Sequence, residues 1–204
     1  MKGRTIVMTR HPIARVAFLV AVASLAAGLA GAASLSGTVR CKGVATSADA
    51  IVYVAEIPGK TFPPGKEPAK MGQTHLRFVP RVLPVLVGTT VEFLNSDAVN
   101  HNIFSPDKCT GRMNLGTWSQ GQTRSYTFKQ ECATTLLCNL HPEMEGWIVA
   151  VPTPYFAVTG ADGSYRINDL PDGSLTVKIW HPKLKAIQKT VAVQGATEAS
   201  FELP

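Results

Sequence analysis

Glycine and proline interrupt this chain so often that no apolar pattern of helical period continues for three turns. The 204 residues include 17 glycines and 14 prolines. Between these interruptions lie short segments of alternating apolar and polar residues, as expected of half-buried strands. The pattern predicts an all-β fold. The clearest strands are expected at residues 36–40, 50–55, 82–87, 90–94, 124–128, 134–138 and 147–151.

Residues 1–33 have the composition of a secretory signal peptide. Four basic residues precede an apolar run at residues 16–32, which ends in small side chains. The run is rich in Ala and Gly and shorter than the ~20 strongly apolar residues that a membrane span needs, so cleavage is favoured over an anchor. We expect an exported periplasmic protein without a membrane span. Its formal charge falls from +6 to +2 with the four basic residues gone, and no basic stripe for nucleic acid is visible.

Two proline-rich segments divide the rest of the chain. Residues 57–70 are rich in Pro, Gly and Lys and predict a linker. A second boundary lies near residues 151–154. Beyond it, Asp162-Gly163 favours the tight turn of a β-hairpin, and residues 171–173 predict another turn. These features predict a small antiparallel β-sandwich at the C-terminus.

A short segment after the predicted strand 134–138 carries three metal-binding side chains. Cys138, His141 and Met144 offer a thiolate, an imidazole and a thioether. His101, just beyond the strand at residues 90–94, adds a second imidazole. Two histidines, one cysteine and a distant axial methionine are typical of blue-copper electron-transfer sites. The spacing favours one copper site over the alternative of a buried cysteine with a surface histidine and a core methionine.

These residues resemble the cupredoxin family, and residues 71–151 carry the resemblance. The strand pair and His-Asn step at residues 85–102 match the family, as does Cys-x-x-His-x-x-Met at residues 138–144. The two-residue gap between His141 and Met144 is similar to that of amicyanin-like members, which are associated with methylamine utilisation. The resemblance implies a Greek-key cupredoxin sandwich at residues 71–152.

The resemblance also implies roles for single residues. His101, Cys138 and His141 would be equatorial ligands of one type 1 copper ion, and Met144 the axial ligand. Asn102 would brace the ligand loop through a side-chain hydrogen bond. Asn139 departs from the Ser or Thr often found after the ligand cysteine, which leaves the redox potential open.

The two ends of the chain resemble a second family, the carboxypeptidase regulatory-like or transthyretin-like β-sandwich. Residues 156–173 carry most of this resemblance, and residues 36–39 and 50–54 resemble that family's first strands. The resemblance implies one discontinuous module, residues 34–56 and 153–204, with the cupredoxin domain inserted into it.

The remaining cysteines predict one disulfide, because export favours disulfide formation. With Cys138 taken as a ligand, Cys41, Cys109 and Cys132 are left, an odd number. Cys109 follows the strand of His101, and Cys132 precedes the strand of Cys138. We expect these two to pair at the end opposite the metal and Cys41 to stay free, in preference to a pairing of Cys41.

The predicted function is that of an electron carrier and not an enzyme. Its expected partners are a periplasmic dehydrogenase or a cytochrome c. Copper storage or delivery without redox turnover is the alternative. A copper enzyme such as a nitrite reductase would need a second, histidine-rich site, and only His75 and His181 remain for one; both are expected to be solvated or locally hydrogen-bonded. A metal-free scaffold is disfavoured by the full ligand set.

Overall fold

Seventeen β-strands and one 3₁₀-helix are found in the part of the chain that the computed structural model describes, which is residue 3 and residues 32–204. The strands are β1 (Ala33–Cys41), β2 (Ile51–Val54), β3 (Ala69–Gln73), β4 (Phe78–Val79), β5 (Val82–Leu86), β6 (Thr90–Asn95), β7 (His101–Phe104), β8 (Asn114–Trp118), β9 (Thr123–Thr127), β10 (Cys132–Leu137), β11 (Glu145–Val151), β12 (Phe156–Val158), β13 (Ser164–Leu170), β14 (Gly173–His181), β15 (Leu184–Val193), β16 (Ala196–Glu198) and β17 (Phe201–Leu203). The 3₁₀-helix spans Lys108–Thr110.

The all-β class predicted from the sequence is confirmed. Each of the seven predicted strands overlaps an observed strand, and the ends differ by at most three residues. Within residues 32–204, no helix has the length and apolar character needed to cross a membrane. The predicted signal peptide lies outside the described residues, apart from residues 3, 32 and 33.

Residues 69–151 form two facing sheets, which we call the central sandwich. One sheet has the order β5-β11-β10-β7-β8 and the other the order β4-β3-β6-β9. Alternation places one face of each strand in the space between the sheets. In β6, for example, Val91 and Phe93 are buried whereas Leu94 is exposed. Phe93 packs in one cluster with Ile103 and Ile148 of the opposite sheet.

The strands at the two ends of the chain form a second pair of sheets, the terminal sandwich. β1 pairs with β13, β16 and β17, and β2 pairs with β12 and β14. The core between these sheets includes Leu35 and Val52 from the N-terminal strands and Ile167, Val177 and Leu203 from the C-terminal ones. β1 and β2 therefore pair with strands that follow residue 155.

The tight turn predicted at Asp162-Gly163 is present, but the prediction that its flanking strands pair as a hairpin was wrong. The chain bends there, with the Gly163 N–H donating to the Gly160 carbonyl at 2.9 Å. The strand before the turn, β12, pairs with β2, whereas the strand after it, β13, pairs with β1. The dipeptide sets the local bend, but long-range pairing decides which sheet each strand joins.

The two sandwiches pack back to back through β2 and β11. All four residues of β2 are buried, because Val52 and Val54 face the terminal core while Ile51 and Tyr53 face outward into a third apolar cluster. β11 contributes Trp147, Val149 and Val151 to this same cluster. Its other face, with Ile148 and Ala150, lines the central core. The sheets that contain β2 and β11 are therefore the two inner layers of a stack of four sheets.

Candidate metal centre

One loop of the central sandwich carries three of the four predicted metal ligands. β10 ends at Leu137 and β11 begins at Glu145, and these two residues are paired across the antiparallel ladder. The two ends of the loop at residues 138–144 are therefore held at a fixed separation. The Met144 N–H donates to the His141 carbonyl at 3.0 Å, which tightens the loop into a turn.

Cys138, His141 and His101 lie together. The Nδ1 atoms of the two histidines are 3.1 Å apart, and the Cys138 Sγ lies 3.8 Å from the His141 Nδ1. All three candidate ligand atoms lie within 4.8 Å of one another. His101 and Cys138 are buried, whereas His141 is half-buried. Among the described residues, this is the one group of three or more His, Cys, Asp or Glu side chains close enough to hold a metal ion.

Met144 lies at the end of the same loop. Its side chain is buried and belongs to the apolar cluster that also contains Cys138, Phe93 and Leu136. The predicted axial ligand therefore shares the apolar surroundings of the cysteine.

Asp97 also belongs to the site, although no motif in the sequence predicts a role for it. Its Oδ2 lies 2.9 Å from the His101 Nε2. The carboxylate also accepts the N–H groups of His75, at 2.6 Å, and Leu76, at 2.9 Å. Burial alone would raise the pKa of Asp97, but hydrogen bonds from the Leu76 N–H, the His101 ring and the His75 N–H hold the pKa below its usual value.

The ionised carboxylate of Asp97 fixes the tautomer of His101. A carboxylate accepts hydrogen bonds and cannot donate them, so the proton of neutral His101 is on Nε2. The lone pair of Nδ1 is then directed towards His141 and Cys138. A carboxylate behind a histidine is the arrangement that commonly orients imidazole ligands of metals. The position of Asp97, four residues before His101 in a polar loop, is the one sequence signal for this role.

Asn102 links three segments around the cysteine. Its backbone N–H points at the Cys138 Sγ, at 3.4 Å, and its Oδ1 accepts the Asn139 N–H, also at 3.4 Å. Its Nδ2 donates to the Gly116 carbonyl at 2.8 Å and to the Asn114 Oδ1 at 3.1 Å. The side chain thus joins the ligand loop to β8.

The other cysteines and histidines lie apart from this cluster. Cys109 and Cys132 form a disulfide, with Cα atoms 6.4 Å apart, at the opposite end of β10 from the ligand loop. Cys41 is free and buried, and burial raises the pKa of its thiol. His75 is exposed, and its N–H donates to Asp97. His181 is buried, and its Nδ1 accepts the Lys183 N–H at 3.2 Å.

The donor set fits a copper ion. Bonds from nitrogen and sulfur to a transition metal are about 2.0–2.3 Å long, so a single ion can bridge donor atoms separated as these are. Thiolate suits Cu(I), and imidazole suits both oxidation states of copper. The proton on His101 already lies on the nitrogen that faces Asp97. Metal binding then requires that the Cys138 thiol lose its proton and that His141, whose Nδ1 faces the His101 Nδ1 at 3.1 Å, present that nitrogen unprotonated.

Solved structures with similarity to part of this chain include copper proteins. No family model and no curated protein matches the chain. A solved structure of a purple cupredoxin from Nitrosopumilus maritimus is 26% identical over 40% of this chain and 98% of its own, with a TM-score of 0.37. A Cu-containing nitrite reductase from Thermus scotoductus is 24% identical over 49% of this chain and 25% of its own, with a TM-score of 0.41. A reduced amicyanin variant is 22% identical over 48% of this chain and 97% of its own, with a TM-score of 0.39.

These structural neighbours are cupredoxins. All three TM-scores lie below 0.5, so the function proposed below depends on the residues of this chain and their geometry.

Proposed function

We propose that this chain is a type 1 copper protein that carries single electrons between redox partners in the periplasm. The observation that supports the proposal is the cluster of His101, His141 and Cys138, whose candidate ligand atoms all lie within 4.8 Å of one another. Two of the three side chains are buried, so few waters compete for the ligand atoms. His101, Cys138 and His141 would hold the ion, with Met144 as the axial ligand.

Bound copper supplies the exchange of one electron between Cu(I) and Cu(II). The protein's part is to keep the ligands in one arrangement while the charge changes. Asp97 holds the His101 ring, and the Asn102 N–H stabilises negative charge on the Cys138 sulfur. Because Leu137 and Glu145 are paired across the ladder, the two ends of the ligand loop are held together. A site held in this way suits a carrier, because its ligands can keep one arrangement while the charge of the ion changes.

The half-buried His141 gives electrons a route to the surface. Leu140 beside it is 48% exposed, and Val99 near His101 is 45% exposed. Apolar side chains at the surface suit brief contact with another protein. We propose a dehydrogenase or a cytochrome c as the partner, as in amicyanin-type electron transfer linked to methylamine utilisation.

We also propose that the chain contains two domains beyond a signal peptide at residues 1–33. Residues 71–152 would form the cupredoxin domain and residues 57–70 a linker. Residues 34–56 and 153–204 would form one discontinuous domain of the carboxypeptidase regulatory-like kind. The pairing of β1 and β2 with strands after residue 155 supports this division.

A copper titration tests the proposed function. The chain is expressed for export, purified and titrated with Cu(II) while visible absorption and electron paramagnetic resonance are recorded. One equivalent should give an intense thiolate-to-copper band, and Cys138→Ser should abolish it. Cys41→Ser is the matched control, because Cys41 is the other free, buried cysteine, and it should keep the band.

The absence of the band from the unsubstituted protein would refute the electron-carrier proposal. Tight copper binding without reversible electrochemistry would instead favour copper storage or delivery.

A further inference from the structure

The strand that leaves the ligand loop is covered on its outer face by the terminal sandwich. β11 begins at Glu145, directly after Met144, and its residues Trp147, Val149 and Val151 face the apolar cluster shared with β2. Trp147 also meets Trp180 of β14, with ring centroids 6.5 Å apart in an edge-to-face arrangement. Trp147, the third residue of β11, therefore connects the end of the ligand loop to the terminal sandwich.

Arg81 connects these elements at the loop end of the interface. Its guanidinium NH1 lies 2.7 Å from the Asp49 Oδ2, and its NH2 lies 3.7 Å from the Glu145 Oε2. The same guanidinium lies 4.6 Å from the ring centroid of Trp147, within the range of a cation–π contact. The Arg81 carbonyl accepts the Trp147 N–H at 2.9 Å.

Asp49 is the member of this group that belongs to the terminal sandwich. It lies two residues before β2, with a left-handed φ of 65°. β2 is buried on both faces, so the position of Asp49 is fixed by the stack of sheets. A contact from Asp49 to Arg81 is thus a contact between the body of the terminal sandwich and the residues that follow Met144.

We propose that the terminal sandwich positions the exit of the ligand loop through Arg81, with Asp49 as the anchoring residue. The effect of the Asp49–Arg81 contact on the backbone of residues 144–147 is independent of any metal. The effect of this contact on copper retention rests on the proposed function.

A second ion pair across the same interface provides a matched control. The Lys178 Nζ lies 2.8 Å from the Glu131 Oε1, and the side chains in both pairs are 29–42% exposed. Glu131 precedes Cys132, at the far end of β10 from the loop. The six residues of β10 place it roughly 20 Å from the loop, at about 3.3 Å per residue.

The test compares Asp49→Asn with Glu131→Gln in the metal-free protein. Asparagine tolerates a left-handed φ, so Asp49→Asn removes charge without straining the backbone. Amide hydrogen exchange is measured at residues 144–147, where the Trp147 N–H reports directly on its bond to Arg81. We expect exchange there to be about two- to fivefold faster in Asp49→Asn, the range set by the loss of one partly exposed ion pair. Glu131→Gln should leave these residues at the unsubstituted rate.

Copper transfer to a competing chelator gives the second readout. Asp49→Asn should release copper about two- to fivefold faster, and Glu131→Gln at the unsubstituted rate. Unchanged exchange at residues 144–147 in Asp49→Asn, or equal acceleration in both variants, would overturn the positioning role. Faster exchange in a protein that binds no copper would instead support that role and refute the proposed function alone.

Discussion

Replacing Asp97 with asparagine tests how the site is held before any metal binds. The carboxylate accepts three hydrogen bonds, two from the backbone of residues 75–76 and one from the His101 ring. An amide keeps one oxygen and turns the other into a donor. Whichever way it is oriented, at least one N–H group then faces another donor instead of an acceptor.

The environment of Asp97 sets the size of the effect. Its side chain is 13% exposed, so water replaces the lost partner poorly. A hydrogen bond to a charged group contributes about 1.5–3 kcal/mol, and Asp97→Asn should therefore lower the free energy of unfolding by about that amount. His75 and Leu76 have φ values of 52° and 58°, a backbone conformation that costs roughly 1–2 kcal/mol per residue, so the turn depends on its bonds to Asp97.

Urea denaturation of the metal-free protein at pH 7 measures this effect. A double variant, His75→Asn with Leu76→Gly, places at the turn the residues that prefer two positive φ values. In that background the cost of Asp97→Asn should fall by about 1 kcal/mol. Nitrogen NMR of the His101 ring should show the proton on Nε2 in the unsubstituted protein and partial transfer to Nδ1 in Asp97→Asn. Equal urea midpoints, with the His101 tautomer unchanged, would refute the role given to Asp97.

Three further predictions concern packing and pH. Gln73 is fully buried, and neither the nitrogen nor the oxygen of its side-chain amide has a hydrogen-bond partner. Gln73→Met should therefore raise the free energy of unfolding by about 1–3 kcal/mol. A lower urea midpoint in this variant would mean that ordered water binds the side-chain amide. An added Cβ at Gly146 would lie 2.8 Å from the Phe78 Cβ, so Gly146→Ala should lower the free energy of unfolding by about 1–3 kcal/mol. An unchanged urea midpoint would contradict the close approach of β4 and β11. Burial lowers the pKa of His181, so the unfolded chain binds the proton more tightly than the folded protein does. The free energy of unfolding should therefore fall as the pH drops below about 6.5 towards the folded pKa. Urea denaturation between pH 7.5 and 5 should show a weaker pH dependence in His181→Gln.

The sequence predicts the class of the fold because the evidence for it is local. Alternation and turn residues are read within a few positions, and the strand at residues 90–94 is found at Thr90–Asn95. Proximity within the ligand loop is local as well, since Cys138 and His141 are separated by two residues. His101 is more distant in sequence, but it begins the strand β7, which pairs with β10 next to Cys138.

Sequence patterns do not predict the contacts between turns that are far apart in the sequence. Asp97 obtains two of its three donors from residues 75–76, more than 20 positions earlier in the chain. The turn at Gly163 is another case. Its local geometry was predictable, whereas the change of sheet depends on which of β1 and β2 each neighbouring strand meets.

The stacking of the two sandwiches corresponds to a feature of the sequence other than the alternation of apolar and polar residues. A strand with one solvated face alternates, whereas a strand buried on both faces is apolar throughout. Residues 51–54 and 147–151 are both continuous apolar runs, and both are buried over their whole length. Such runs, where they are buried over their whole length, indicate an inner layer shared by the two sandwiches. Because the second run starts three residues after Met144, that layer includes the strand on which the ligand loop ends, so the terminal sandwich and the candidate metal centre are parts of one packed structure.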